Sequence, residues 1–476
     1  MSSQPRRLRR AVLPFALIAA LGATSPVLGQ SNATGTIYGV TGDPATSVVV
    51  ENTQTGQVRT IRPDAQGRYR ASSLPVGKYR VLLQRDGTTI ASQDDVNVLL
   101  GGGSEISFSA GGDTGAQTLG VVNVTASAVP QIDVSQTDSR QVFTAEQIEK
   151  LSIGRDIAAL ALLTPGAVAG DSRYQGARGF SDVAAFGGSS ASENAYYING
   201  YAVTNPYTAL GSTSLPFGGI AQYQAITGGY SAEFGRATGG VVNIITERGT
   251  NDWRFGGQVV WNPDAGRANR RSIYYPEGTS SPNAGRIYQD REKHYENEAV
   301  TYAAYAGGPI IKDRLFFYAA GEITRQDIQG LSVGTSGWST GTNGLQDYDY
   351  EIPRWLAKLD WQINDYNLLE LTAISDVTKD KERYTRYNFT TGERDPSTVS
   401  GYDYKDGGEL YIGKYTGYLT DSLTLSALYG RQKQDHLVTP YGLNPDPAAV
   451  YVTDGRNIAD EYMVNADRKS TRLNSS

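Results

Sequence analysis

The second half of the chain is written with a period of two, and that period limits what it can become. In WRFGGQVVW, Trp253, Phe255, Gly257, Val259 and Trp261 alternate with Arg254, Gly256, Gln258 and Val260, so a strand here is greasy on one face with an aromatic ring at each end. In LFFYAAGEIT, Leu315, Phe317, Ala319 and Ile323 oppose Tyr318, Glu322 and Thr324; in WLAKLDWQI, Trp355, Leu359 and Trp361 oppose Lys358, Asp360 and Gln362. Leu423, Leu425, Ala427 and Tyr429 repeat the pattern. A soluble sandwich and a transmembrane barrel both show this alternation, and the connections separate them. Pro309 to Arg314, Asn364 to Tyr366 and Thr420 to Ser422 are short, Asn262 to Asn297, Gln326 to Pro353 and Val377 to Glu409 are long, and the two kinds alternate. Every short turn then falls on one side, the asymmetry of outer-membrane barrels with their periplasmic turns and extracellular loops.

The first residues fit that destination. Arg6, Arg7, Arg9 and Arg10 precede an apolar core from Ala11 to Ala23, followed by Ser25, Pro26 and Gly29, which is the plan of a secretory signal peptide over residues 1–29. The core is too short for a membrane span and carries Pro14, and no later window approaches 18 uninterrupted apolar residues. The absence of cysteine removes disulfides, thiolate metal sites and cysteine nucleophiles. The formal charge is -6 and basic residues are scattered, so nucleic acid is not expected as a partner. Tyr (31) and Trp (5) together outnumber Phe (11), a bias toward the amphipathic rings that membrane interfaces favour.

Residues 30–110 read as a β-sandwich. Short runs recur every eight to twelve residues (TGTIYG, SVVVEN, QVRTIR, GRYRA, KYRVLLQR, TTIAS, DVNVLL, EISFS), with turns at Asp64 to Gly67 and Pro75 to Gly77. The stretch DAQGRYRASSLPVGKYRV resembles the carboxypeptidase regulatory-like domain. An enzyme reading fails on its ligands. A zinc carboxypeptidase needs an HxxE pair and a second histidine, but His294 is followed at the third position by Asn297 and His436 lies in barrel-like sequence. Ser189 is followed two residues later by Ala191, so there is no GxSxG elbow. Both histidines are expected in solvent-facing loops, with no metal, no cofactor and no catalysis.

Residues 111–130 form a linker. It holds LGVVNVTAS, from Leu119 to Ser127, an apolar strip between flexible flanks. Locally it reads either as a strand of a neighbouring domain or as a strand offered to another protein's sheet edge. Residues 131–252 read as a small α/β domain. Thr144 with Gln147 forms a capping box and Phe143 with Ile148 a hydrophobic staple, so a helix is expected from Ala145. A second should run from Ile157 to Leu163, between Asp156 and Pro165. In AYYINGYAV, Asn199-Gly200 predicts a two-residue type I′ hairpin. Strands are expected from Ile220 to Ile226 and from Val241 to Thr246. The second, bounded by Gly240 and Gly249, suits burial on both faces, where Asn243 would need partners. In the turn before it, Glu233 and Arg236 can hold each other, grip a neighbouring wall or simply face solvent.

Residues 189–252, from SSASENAYYINGYAV through LPFGGIAQYQAITGGYSAEFGRATGGVVNIITERGTND, resemble the plug domain of TonB-dependent outer-membrane receptors, in particular the Oar-like branch. GGPIIKDRLFFYAA resembles the early barrel of the same family. The resemblance implies a mainly β protein: a periplasmic β-sandwich, an α/β plug domain, and over 253–467 the N-terminal part of a transmembrane antiparallel β-barrel. Seven or eight strands can be counted where the family has 22, so the barrel reads as truncated. Residues 468–476, ending RKSTRLNSS, lack alternation and read as a tail outside the barrel. The resemblance also places LGVVNVTAS where the family carries its TonB box, so Val121, Val122, Asn123, Val124 and Thr125 become the expected TonB contact. Family members commonly have an acidic residue before the Val run, and here it reads VVNVTA. Implied partners are TonB with ExbB and ExbD, outer-membrane lipid and a transported ligand. Glu233 and Arg236 become the expected plug-to-barrel contact, with Asn199, Gly200 and Asn243 structural. The alternative is an outer-membrane structural or adhesion protein of the same architecture without active transport.

Overall fold

The computed structural model describes residues 33–108, 138–151, 157–170, most of 183–441, and the backbone of 452–453, 456–457 and 463–475. The signal segment 1–29 and the linker with Val121 to Thr125 lie outside the described residues, as do Asp156, Glu233 and Arg236.

Residues 33–108 form two facing sheets. One contains β1 (Gly35–Val40), β4 (Arg68–Leu74) and β7 (Gly103–Glu105), with β1 central; the other contains β2 (Ser47–Asn52), β3 (Val58–Ile61), β5 (Gly77–Arg85) and β6 (Thr88–Val98), in the order β3-β2-β5-β6. Alternate residues close the core: Val48, Val50, Val81 and Leu83 meet Ile37, Tyr69 and Ala71. The first expected turn is built by Asp64, whose Oδ1 accepts from the amides of Gln66 at 3.0 Å and Arg68 at 2.8 Å. TTIAS and DVNV, expected as separate strands, are one strand: Asp95 takes φ 55 and the register against β5 shifts. The bulge absorbs the break without ending the ladder.

The second domain begins with β8 (Ser139–Thr144) and α1 (Ala145–Lys150), where Gln147 Oε1 accepts from the Thr144 amide at 3.0 Å, completing the capping box. α2 (Ile157–Ala161) is shorter than expected. Its final turn passes through Leu162 to Thr164, because a residue before proline avoids the helical region. β9 (Ala167–Ala169) and β10 (Ala184–Phe186) pair with each other. β11 (Ala195–Ile198), β12 (Tyr201–Ala202), β13 (Ile220–Gly228) and β14 (Val241–Thr246) join β8 in one sheet, ordered β12-β11-β14-β13-β8. Asn199 (φ 49) and Gly200 (φ 87) both take the left-handed conformation that a type I′ turn demands. β14 lies parallel to β11 and antiparallel to β13, and all six of its residues are buried. The continuous apolar run predicts this central position. Asn243 sits within it, opposite Tyr197 and Gln224.

The remaining strands form one antiparallel sheet that curves around the second domain. They are β15 (Arg254–Asn262), β18 (Glu296–Ile311), β19 (Leu315–Ser332), β20 (Gly344–Asn364), β21 (Asn367–Ser375), β22 (Thr378–Asn388), β23 (Glu393–Tyr418), β24 (Thr424–Tyr441) and β27 (Met463–Ser475). Two short ribbons lie off this path, β16 (Ile273–Tyr274) with β17 (Ile287–Gln289), and β25 (Val452–Thr453) with β26 (Arg456–Asn457). The expected faces hold. Phe255 is 79% exposed and Trp253, Val259, Trp261, Trp355 and Trp361 also face outward, whereas Tyr318, Glu322, Lys358, Asp360 and Gln362 are buried on the inner face. The three short turns fall where expected, each joining consecutive antiparallel strands.

Three expectations change. The stretches 326–353 and 377–409 are largely strand, so β20 runs 21 residues and β23 runs 26, against the roughly 9–11 that cross a bilayer. Their two faces are both polar, which hides the period of two, while ladder hydrogen bonds still satisfy the main chain. His436, expected in a loop, lies in β24 with its Nδ1 against Asp406 Oδ1, and the His294 ring lies 4.6 Å from that of Tyr387. Residues 468–475 lie within β27, which pairs with β24, because ladder bonds run between main-chain groups and need no hydrophobic alternation.

The outward face yields a first prediction. Leu359 lies between the outward Trp355 and Trp361, so Leu359→Arg sets a charge in the apolar band and should cost about 2–4 kcal/mol. Refolding of the full-length protein into lipid bilayers across a denaturant series measures it, with inward Gln362→Arg expected to behave differently because it faces protein.

Candidate plug–wall interface

The second domain shares its core with the barrel wall. Tyr196, Ile198, Tyr201, Val203, Leu215, Ile220 and Tyr223 form one buried cluster with Tyr318, Leu356, Ile374, Leu410, Ile412 and Leu428 of the wall. Glycines set the closest approaches. A Cβ on Gly430 would stand 2.5 Å from the Tyr201 ring, and one on Gly219 would stand 2.8 Å from Leu356 Cδ2. At this cluster the inner wall is apolar.

Around this apolar contact the wall presents polar side chains to plug backbone. Glu322 Oε2 accepts from the Phe217 amide at 3.3 Å, and Asp376 Oδ2 accepts from the Ser214 amide at 2.6 Å. Gln432 Nε2 donates to Val203 O at 3.2 Å and to Thr213 Oγ1 at 3.3 Å. Asn199 serves both parties. Its Nδ2 donates to Thr246 Oγ1 at 2.9 Å and to Thr372 Oγ1 of the wall at 3.1 Å, while its Oδ1 accepts from the Thr246 amide at 3.0 Å. Asparagine at this turn thus supplies the left-handed backbone and the link between hairpin, last plug strand and wall.

The strongest junction follows β14, where the chain crosses into the wall. Gly249 lies against Phe317 so closely that a Cβ would stand 2.3 Å from Phe317 O and 2.8 Å from Phe317 N. Beside it, Arg248 Nη2 meets Glu370 Oε1 at 2.5 Å and Arg248 Nε stands 3.8 Å from Asp360 Oδ2. Lys358 Nζ lies 3.7 Å from Glu370 and 4.0 Å from Asp360, and Lys414 Nζ lies 3.7 Å from Glu370 Oε2. Three cations thus surround two carboxylates, with Glu370 touching all three. Burial alone would lower the Arg248 pKa, but Asp360 and Glu370 outweigh it and hold it above the usual guanidinium value. The cluster therefore keeps this cation at any accessible pH. The crossing is also tied to the first short turn: Asn251 Nδ2 donates to Asp313 Oδ1 at 2.6 Å, and the Asp313 amide donates to Asn251 Oδ1 at 2.9 Å.

Among the sequence-selected residues, the structure brings Asn199 to this interface, with Gly200 beside it in the turn, and places Asn243 in β14. Arg248, Lys358, Asp360, Glu370 and Lys414 were not selected. The signal was present in parity: Lys358, Asp360 and Glu370 are charged, fall on the inward face, and flank a short turn, while Arg248 follows the last plug strand.

Known proteins share this order of parts. A family model described as the carboxypeptidase regulatory-like domain matches residues 33–110, and the TonB-dependent receptor plug domain matches residues 133–241. The TonB-dependent transporter Oar of Myxococcus xanthus is 27% identical over 286 residues. The chain carries the leading parts of an Oar-like TonB-dependent receptor in their order. The Oar match covers 58% of this chain and 25% of that transporter, so the chain spans about a quarter of its relative's length. Among solved structures, the outer membrane transporter YddB from Escherichia coli aligns at 18% identity and TM-score 0.44, over 63% of this chain and 39% of its own. The siderophore receptor PirA from Acinetobacter baumannii aligns at 15% identity and TM-score 0.35, over 71% and 54%.

Proposed function

We propose that the receptor takes up a ligand across the outer membrane by a plug movement that the proton-motive force drives through TonB. The observation that carries this reading is the plug seated inside the curved wall, joined to it by a short crossing and held by contacts that can be broken. Ligand binds from outside on plug and extracellular strands, and Val121 to Thr125 are then captured by TonB as an added strand. Main-chain bonds supply affinity in such pairing and alternate side chains supply specificity, so Val121, Val122 and Val124 need no fixed fold of their own. ExbB and ExbD couple TonB to the inner-membrane gradient, the outward aromatic face meets lipid, and the sandwich lies in the periplasm. Glu233 and Arg236 remain a proposed second grip between plug and wall.

Deleting Val121 to Thr125 from the full-length receptor is expected to abolish binding of the purified periplasmic domain of TonB, with at least a tenfold loss of affinity by calorimetry. Unchanged binding sinks the reading and favours an adhesive or structural role. The deletion leaves the described plug and wall untouched, so circular dichroism should not change.

A further inference from the structure

The sandwich does not hang free below the plug; it is seated on plug and wall together. On the plug, the Leu100 amide donates to Gln222 Oε1 at 2.8 Å, Gln222 Nε2 donates to Val98 O at 3.3 Å, and Gln224 Nε2 donates to Leu100 O at 2.9 Å. Both glutamines are buried, and Ala33, Val76 and Leu100 of the sandwich close an apolar cluster with Ile245 of β14. Two plug side chains thus pair with sandwich backbone at and just beyond the end of β6.

A second seat lies on the wall. The Arg59 guanidinium stands 3.9 Å over the Tyr418 ring, Tyr418 OH donates to Ser73 O at 2.9 Å, and Gln362 Nε2 donates to Thr55 Oγ1 at 3.4 Å. The Asn251 amide, within the crossing itself, donates to Gln54 O at 2.8 Å. Between the seats a small cavity is lined by Ala33, Pro75 and Val76 of the sandwich and by Arg248, Glu370 and Lys414 of the ion cluster. The sandwich is therefore the cover of that cluster on its open side.

Asp360 is the group with most to gain from water. Among the described residues its two oxygens accept no hydrogen bond, and its nearest cations stand at the edge of ion-pair distance, Arg248 at 3.8 Å and Lys358 at 4.0 Å. Attraction between charges falls steeply when the medium around them becomes wet. Lifting the sandwich would hydrate Asp360, screen Arg248 from Glu370, and weaken the strongest tie between plug and wall.

We propose that the N-terminal sandwich is the plug's periplasmic lock: it holds plug and wall together and keeps their ion cluster dry, so the plug is released only after the sandwich lifts. This adds a step to the transport reading above, and its test needs neither TonB nor ligand, so the two can fail separately. The test is hydrogen exchange on the full-length receptor in detergent, read at Thr246 to Asp252 and in β14. Arg59→Ala removes the stack on Tyr418 of the wall together with the Arg59 Nη1 bond to Ser72 O within the sandwich, and touches none of the plug strands, so β2 and β5 are followed as the measure of any loosening of the sandwich itself. It should speed exchange in those segments at least tenfold while β2 and β5 of the sandwich stay as slow as before. A second arm uses the cysteine-free background: Thr55→Cys with Gln362→Cys, oxidised, should slow the same exchange at least tenfold relative to the reduced form of the same protein. Equal exchange in oxidised and reduced forms, or unchanged plug exchange in Arg59→Ala, overturns the lock. Because oxidation and reduction are compared in one folded protein, a folding defect cannot mimic the result.

Discussion

Glu370→Gln is expected to loosen the plug more than any other single charge change at the wall. Glu370 touches Arg248, Lys358 and Lys414, so neutralising it leaves three buried cations facing Asp360 alone. Breaking a buried pair from one side costs about 3–5 kcal/mol, because the partners stay desolvated without compensation. Arg248→Met should cost less, since it leaves two cations with two carboxylates and keeps an apolar stem in place. Charge balance decides the order of the two variants. In the full-length receptor, exchange at Thr246 to Asp252 should rise by about two to four orders of magnitude for Glu370→Gln, from 1.4 kcal/mol per decade. If Arg248→Met proves the more damaging, the cluster acts through the guanidinium fork and the charge argument is wrong.

Gly249→Ala is the second large effect, and it changes no charge. The new Cβ would meet the Phe317 main chain at 2.3 Å and Phe316 Cβ at 2.9 Å, and neither can swing aside as a flexible side chain can. Forcing a group into such a contact costs about 1–3 kcal/mol or more and shifts the backbone. The crossing would move off the wall and carry Arg248 away from Glu370. Gly321→Ala is the control, because nothing lies within 4 Å of the position its Cβ would take. Influx of a large hydrophilic antibiotic into cells expressing the full-length receptor should increase for Gly249→Ala and stay unchanged for Gly321→Ala. Equal influx in both variants would show that the close approach does not hold the plug.

How far the sequence could be read depended on whether a feature was local. The Asn199-Gly200 turn and the Thr144–Gln147 capping box are specified by neighbouring residues, and both were legible. The outward face of the wall was legible too, since Trp253, Phe255 and Trp261 all fall on one parity of a strand. The stretches of β20 and β23 farthest from the short turns were not, because polar residues on both faces remove the hydrophobic period while the ladder continues. The ion cluster was hidden for a different reason. Arg248 and Lys414 lie 166 positions apart, and only the curvature of the wall brings them to one carboxylate. The seats of the sandwich use backbone acceptors such as Leu100 O and Ser73 O, which every residue type provides, so no side-chain pattern could announce them.

The central claim is that the plug must move within the wall, and a removable staple between them tests it most directly. Thr213 of the plug and Gln432 of β24 are fully buried and in hydrogen-bond contact, and the chain has no other thiols. In the full-length receptor carrying Thr213→Cys and Gln432→Cys, the periplasmic domain of TonB can be bound to the linker and pulled in a single-molecule force experiment. The account predicts a stepwise lengthening as the plug gives way in the reduced form, and no such step in the oxidised form, with TonB still attached. A step of the same length and force in both forms would contradict it.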